Sequence, residues 1–155
     1  MDLPDLTDEQ RRRIICIGES YQRLTGRPLV LSDGDPVEAL WSAPFAIVSH
    51  GTEPDPIFFF GNRTALALFE MDFATFTRLP SRFSAEPLLR EERTRLLERV
   101  STDGIIEDYA GIRISATGKR FHIANASVWN LADATGTPVG QAAAFPEWVN
   151  VAKST

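Results

Sequence analysis

The chain has little with which to do covalent or metal chemistry: one cysteine, two histidines and two methionines in 155 residues. Cys16 alone cannot close an internal disulfide, and it lacks the thiol and imidazole neighbours of a zinc site. His50 and His122 form neither a His-x-x-x-His pair nor a two-His-carboxylate spacing, so no metal centre is expected. Basic charge is also short. A formal net charge of -5 gives no means of neutralising phosphates, and no direct nucleic-acid partner is expected. The aromatic side chains are not interleaved with a basic patch, which argues against stacking on single strands. GIRISATG has neither the strand-to-helix context nor the Lys-Ser/Thr end of a phosphate-cradling loop. No apolar run is long enough to cross a bilayer, and MDLPDLTDEQRRR has no apolar segment ahead of a cleavage site. No membrane association is expected, and the expected compartment is the cytoplasm. Internal repeats and low-complexity segments are lacking too.

What remains is an ordinary globular composition, 43% hydrophobic and 24% charged, of a length that suits one domain. The most informative stretch is APFAIVSHGTEPDPIFFFGN, residues 43–62. Two apolar bursts, 45–48 and 57–60, are separated by Gly51, Pro54 and Pro56, the punctuation of a turn between strands. Asn62 then stands as a helix N-cap before ALALFEM.

Upstream, Thr7 and Gln10 have the spacing of a capping box, predicting a helix over about 8–24 with Ile14, Ile17, Tyr21 and Leu24 in one stripe. Gly26 and Pro28 end it, and Asp35–Pro36 starts a second helix carrying Val37, Leu40 and Trp41. Downstream of Asn62, Leu66 and Phe69 face inward, Asp72 caps a short turn through Phe73 and Phe76, and LPSRFSAEP reads as an irregular connection. Pro87 opens the helix LLREERTRLLERV, with Leu89, Leu96, Leu97 and Val100 inward and the pairs Glu86/Arg90 and Glu91/Arg95 on its surface. Gly104 stops it. From 105 to 145 the period falls to two: strands at 109–116 and 119–131 joined at Thr117–Gly118, a turn over 132–138, then VGQAAAF. Trp148 and Val149 follow in a tail without clear periodicity.

These pieces carry a resemblance. APFAIVSHGTEPDPIFFFGN, LPSRFSAEPLLREER, DYAGIRISATGKRF and SVWNLADATGTPVGQAAAF together resemble the MEKHLA domain, a PAS-related module of small bacterial proteins and of plant class III homeodomain–leucine zipper proteins. The resemblance implies an α+β, PAS-like fold: a five-stranded antiparallel sheet with helices over one face, and extra N-terminal helices. The expected division is a helical extension at 1–40, the PAS-like domain at 41–146 and a tail at 147–155. The plant relatives' homeodomain and zipper are missing here, so their DNA binding is not carried over. PAS-type photosensors that use a flavin have a reactive cysteine in an Asn-Cys-Arg motif, and haem-binding ones a histidine on the helical lid. This chain has neither at the corresponding segments, and the cofactor is left open.

A PAS-type pocket would lie between sheet and helices, with apolar walls and a few directed polar groups. Period-two alternation puts Phe121, Ile123, Asn125, Ser127 and Trp129 on one face, making Asn125, Ser127 and Trp129 candidate ligand contacts. Gln141, among small alanines that leave room, has the same status. The plainer reading of these polar groups is an internal hydrogen-bond network or buried water. Arg82 could grip a carboxylate or phosphate with its planar fork, or pair with Glu86. Arg113, facing away from Ile112 and Ile114, and Tyr109, with a polar tip, are further candidates. His50 beside Gly51 and near Asp55 invites an acid–base role, against that of fastening the Gly-Pro loop, and Asn62 a ligand contact against a cap.

Three functions compete. The first is a sensory module that binds a small molecule and signals through protein contact. The second is a ligand-free dimerisation domain, a homodimer through the N-terminal helix stripe and the sheet face. The third, a small enzyme using His50, Arg82 and Tyr109, has no activated nucleophile behind it, and a non-enzyme is expected.

Overall fold

Thr7 starts the first helix as its spacing predicts: its Oγ1 accepts from the Gln10 amide at 3.1 Å while Gln10 Oε1 accepts from the Thr7 amide at 2.7 Å. The computed structural model describes residues 2–84 and 90–151, the side chains of 90–94 and 97 excepted. The expected roles of Glu86, Pro87 and Leu89, and the side-chain pairings of Arg90 and Glu91, fall outside this description. Helix α1 (Asp8–Thr25) ends where Gly26 turns left-handed at φ 74°. Helix α2 (Pro36–Trp41) is capped by Asp35, whose carboxylate accepts from the Val37 amide. Strands β1 (Ala46–His50) and β2 (Phe58–Gly61) follow, then helices α3 (Arg63–Phe69) and α4 (Phe73–Phe76), a 3-10 turn at Ser81–Ser84 and helix α5 (Arg90–Asp103). Strands β3 (Ile105–Ile114), β4 (Arg120–Ala132), β5 (Pro138–Phe145) and β6 (Glu147–Asn150) complete the chain.

All pairings are antiparallel, in the order β2-β1-β5-β4-β3, with β6 added to β4 beyond the end of β5. The sixth strand corrects the expectation of an aperiodic tail. Pro146 breaks the chain between β5 and β6, and the extra length of β4 gives 147–150 a partner, setting Ile123 opposite Trp148 and His122 opposite Val149.

Directly paired residues of antiparallel strands share a face, so the register assigns rows across the sheet. Val48, Ala143, Val128 and Ile106 make one row; Ser49, Ala142, Trp129 and Ile105 make the next, on the opposite face. Helix α1 covers this second face. The Trp129 indole donates to the Ile17 carbonyl at 3.1 Å, Tyr21 meets the Trp129 ring edge-on at 5.0 Å, and Arg13 lies over the Phe59 ring. Helices α3, α4 and α5 cover the first: Phe69 meets Phe121 at 5.3 Å and Phe58 stacks on Phe76 at 4.3 Å. Covered on both sides, β1 buries Ala46, Ile47, Val48 and Ser49 in succession, which is why the strand reads as an unbroken apolar burst rather than an alternating one.

The alternation expected along β4 does not run through. Asn125 sits at φ 53° where the β3 register slips, between Tyr109 opposite Ala126 and Gly111 opposite Ile123. One extra residue on β4 reverses the sides. Phe121 and Ile123 therefore share the helical face with Ala126 and Val128, while Ser127 and Trp129 turn to the α1 face and Asn125 is left exposed at the bulge.

Candidate functional site

Half of the helical face is filled. Phe58, Phe69, Phe76 and Phe121 pack ring against ring, and all four are buried. The other half, toward α5, carries a polar row: His50 pairs with Gln141 and Gln141 with Asn130, one register step beyond the alternate Val48, Ala143, Val128 row. All three polar residues are half-buried.

Their hydrogen bonds follow one from another. A carbonyl only accepts, so Asn130 Nδ2 donates to the Val100 carbonyl of α5 at 3.1 Å. That leaves Asn130 Oδ1 toward Gln141, whose Nε2 donates to it at 3.4 Å. Gln141 Oε1 is then directed away from this bond. By the same rule His50 Nδ1, 2.9 Å from the Gly51 carbonyl, is the protonated nitrogen, and Nε2 is an acceptor in the neutral ring. Among the described residues neither Gln141 Oε1 nor His50 Nε2 has a hydrogen-bond partner. The row therefore offers two acceptors to whatever lies over it. Asn130 was missed by the sequence reading; the bulge at Asn125 is what brings it to this face.

The other candidates separate. Tyr109 folds back over Gly111, where a Cβ would stand 2.8 Å from its hydroxyl, and that hydroxyl accepts from Arg113 Nη2 at 3.0 Å. This pair lies on the helical face at the β3 edge. Arg82 pairs with Asp55 rather than Asp55 with His50: its Nε lies 3.1 Å from both carboxylate oxygens, and its guanidinium covers the exposed Phe83 ring. No contact among the described residues joins His50, Arg82 and Tyr109. Asn125 reaches Glu147 at 3.4 Å on the sheet surface. Two of the three alanines, Ala142 and Ala144, lie in the rows of the α1 face; only Ala143 leaves space on the helical face.

Asn62 is a junction. Completely buried, its Oδ1 accepts from the amides of Ile47 and Ala65, and its Nδ2 donates to the carbonyls of Leu40 and Phe45, all within 3.0 Å. It caps α3 and ties α2, β1 and β2 together with no bonding position left for a ligand.

One carboxylate is strongly perturbed, away from the polar row. Glu70, at the left-handed C-cap of α3, accepts from Thr117, Ser115 and Lys119 of the β3–β4 turn, and these bonds hold its pKa down to about 2 from the ordinary 4.5. With the Ala116 amide donating to the Phe69 carbonyl, the turn is clamped to α3.

Among the described residues no group of three or more His, Cys, Asp or Glu is placed to hold a metal ion, and no helix is long and apolar enough to cross a membrane.

Solved structures of similar shape are PAS and light-oxygen-voltage domains. A PAS domain of a protein from Colwellia psychrerythraea superposes with a TM-score of 0.60 at 15% identity, covering 74% of this chain and 92% of that one. A light-oxygen-voltage domain studied with a flavin analogue gives 0.57 at 17% identity, with 78% and 87% covered. The dark structure of the blue-light photoreceptor Aureochrome1 LOV domain gives 0.54 at 20% identity, with 82% and 90% covered. No curated protein matches the chain. The fold is thus that of PAS and light-oxygen-voltage sensory domains. Residues 11–150, from within α1 to the last residue of β6, match the MEKHLA domain, and the chain belongs to that family.

Proposed function

We propose that the protein is a non-catalytic sensory module that holds a small molecule against the polar row His50–Gln141–Asn130 and signals through contact with another protein. The observation that carries this reading is the pair of acceptors Gln141 Oε1 and His50 Nε2, without a hydrogen-bond partner among the described residues and carried by half-buried residues of the helical face. A ligand bringing N–H or O–H donors would pair with both. The row is an imidazole and two carboxamides with no Lys or Arg in it, which suits an uncharged planar heterocycle better than a phosphate. Two of the structural neighbours are light-oxygen-voltage domains, one of them studied with a flavin analogue. A flavin-like ring is accordingly the first class to test. It would be held here without a thiol bond, since Cys16 lies on α1 with its Sγ on the Ala132 carbonyl, across the sheet from the row.

Native mass spectrometry and an absorption spectrum of freshly purified protein test the proposal. The expected result is a small molecule carried with the chain. The bare chain mass, together with no uptake of added riboflavin or adenosine, overturns it.

The second reading is a ligand-free homodimer. Ile14 and Ile17 are buried against the sheet and Tyr21 against Trp129, so the α1 stripe is engaged within the chain. The observation favouring a dimer is instead the row Ile112, His122, Val149 on the α1 side of the sheet, with Val149 69% exposed. A dimer in sedimentation that is lost on Val149→Asp supports this reading; a monomer contradicts it.

A further inference from the structure

We infer that the outer edge of β6 is a docking site for an extended segment of another protein, one that carries a basic residue and adds to the sheet as a further antiparallel strand. The site gives a place to the protein contact of the sensory reading. It rests on that reading only for its use, and it needs no ligand on the polar row.

One bond fixes which way β6 faces. The Val151 amide donates to the Arg120 carbonyl at 2.9 Å, in the register that sets Asn150 opposite Phe121. The main-chain groups of an antiparallel strand point alternately to its two sides. Val149 and Glu147 therefore direct theirs at β4, while Trp148 and Asn150 each direct an N–H and a carbonyl at the other side. Among the described residues nothing pairs there, since β6 has β4 as its partner strand and no other. The lane alongside is the continuation of β1, which enters the sheet at Ala46 opposite Phe145. The chain ahead of β1 does not pair with β6: its Ala43 and Phe45 carbonyls accept from Thr64 and Asn62 instead.

The other two sheet edges carry devices against pairing. At β2 the segment 79–81 is laid alongside, with the Phe58 amide donating to the Leu79 carbonyl and the Ser81 amide to the Pro56 carbonyl. On β3 the register slips twice, and Glu107 and Asp108 are held by Arg27 and Arg99. β6 runs against β4 without a slip and has no lysine, arginine or proline from 147 to 150. Its side chains describe the occupant. Glu147 and Val149 share one face and are exposed, Val149 69% so, and half-buried Trp148 is on the other. A second copy in two-fold register would set Val149 on Val149 and Val151 on Glu147, bringing no counter-charge, and each chain has a net charge of -5. A segment with a β-branched residue opposite Val149 and a Lys or Arg opposite Glu147 meets both.

Backbone amide exchange of the full chain, read residue by residue by NMR, tests the assignment with a synthetic peptide of alternating Thr and Val that ends in Lys. In the free chain the Trp148 and Asn150 amides are expected to exchange about ten-fold or more faster than those of Val149 and Val151. Saturating peptide is expected to slow both by about ten-fold or more, and the same peptide ending in Glu to bind more weakly. N-methylation of the peptide amides that would face β6 removes donors and keeps side chains, and is expected to abolish the effect. Asn150→Pro, which deletes an outward N–H and no bond to β4, is expected to do the same. No slowing at millimolar peptide, or equal slowing by the methylated one, overturns the inference. Slowing that grows with protein concentration in the absence of peptide assigns the edge to a second copy and overturns it too. The small molecule of the polar row is read by mass and not by these amides, so either proposal can fail without the other.

Discussion

Gly140 passes so close to His50 that a Cβ in its place would stand 2.2 Å from the His50 carbonyl oxygen. Its φ of 153° is also one that a side chain disfavours. The close approach brings β5 onto the end of β1 beside the polar row. Because the obstacle is backbone, it cannot swing aside. Gly140→Ala is expected to cost about 2–4 kcal/mol, read as a lower urea midpoint with an unchanged slope. A loss below about 0.5 kcal/mol would mean that the strands can separate there freely.

Asn62→Ala leaves two amides and two carbonyls of Leu40, Phe45, Ile47 and Ala65 without their partner in a dry place. The expected loss is about 3 kcal/mol or more. Asn62→Asp keeps the two accepted bonds and should fare little better, since an acceptor-only carboxylate would face two carbonyl oxygens.

Acid should weaken the clamp at Glu70. Its folded-state pKa lies at about 2, below the 4.5 of an unperturbed group, because Thr117, then Ser115 and Lys119, bond the ionised form. A depressed carboxylate contributes stability that is fully present above pH 4.5 and lost as pH falls toward 2. Glu70→Gln should flatten the fall in thermal midpoint across that window relative to the unaltered chain. Identical pH profiles for the two proteins would contradict the assignment.

Arg82→Ala should be nearly silent in stability, within about 1 kcal/mol, because the Arg82 and Asp55 side chains are 53% and 50% exposed and water screens the pair. Chemical denaturation measures it. A loss of several kcal/mol would mean that the pair fastens the segment it begins.

Local chemistry was legible in the sequence. Thr7, Asp35 and Asn62 announce helix starts, and Gly104 a stop, because capping depends on a few neighbouring residues. The MEKHLA resemblance carried the antiparallel sheet with helices over one face, which spacing alone leaves open. The bulge at Asn125 was not legible. Asn tolerates a left-handed φ, but whether the chain uses that freedom depends on how β3 and β4 register over thirteen residues of β4. That single residue moved Ser127 and Trp129 off the helical face and brought Asn130 onto it. The Arg82–Asp55 pair was not legible for a related reason: the partner is supplied by the loop between β1 and β2, which only the tertiary fold brings near.

The most direct test of the polar row uses side-chain amide NMR on protein labelled at Asn and Gln, recorded as purified, again after small molecules are stripped by unfolding and refolding, and once more with the stripped extract returned. The account predicts that the Gln141 and Asn130 amide signals move on stripping and return with the extract, while those of Asn62 and Asn125 stay in place. Three superimposable spectra, or movement at Asn62 or Asn125 with Gln141 and Asn130 unmoved, would contradict it.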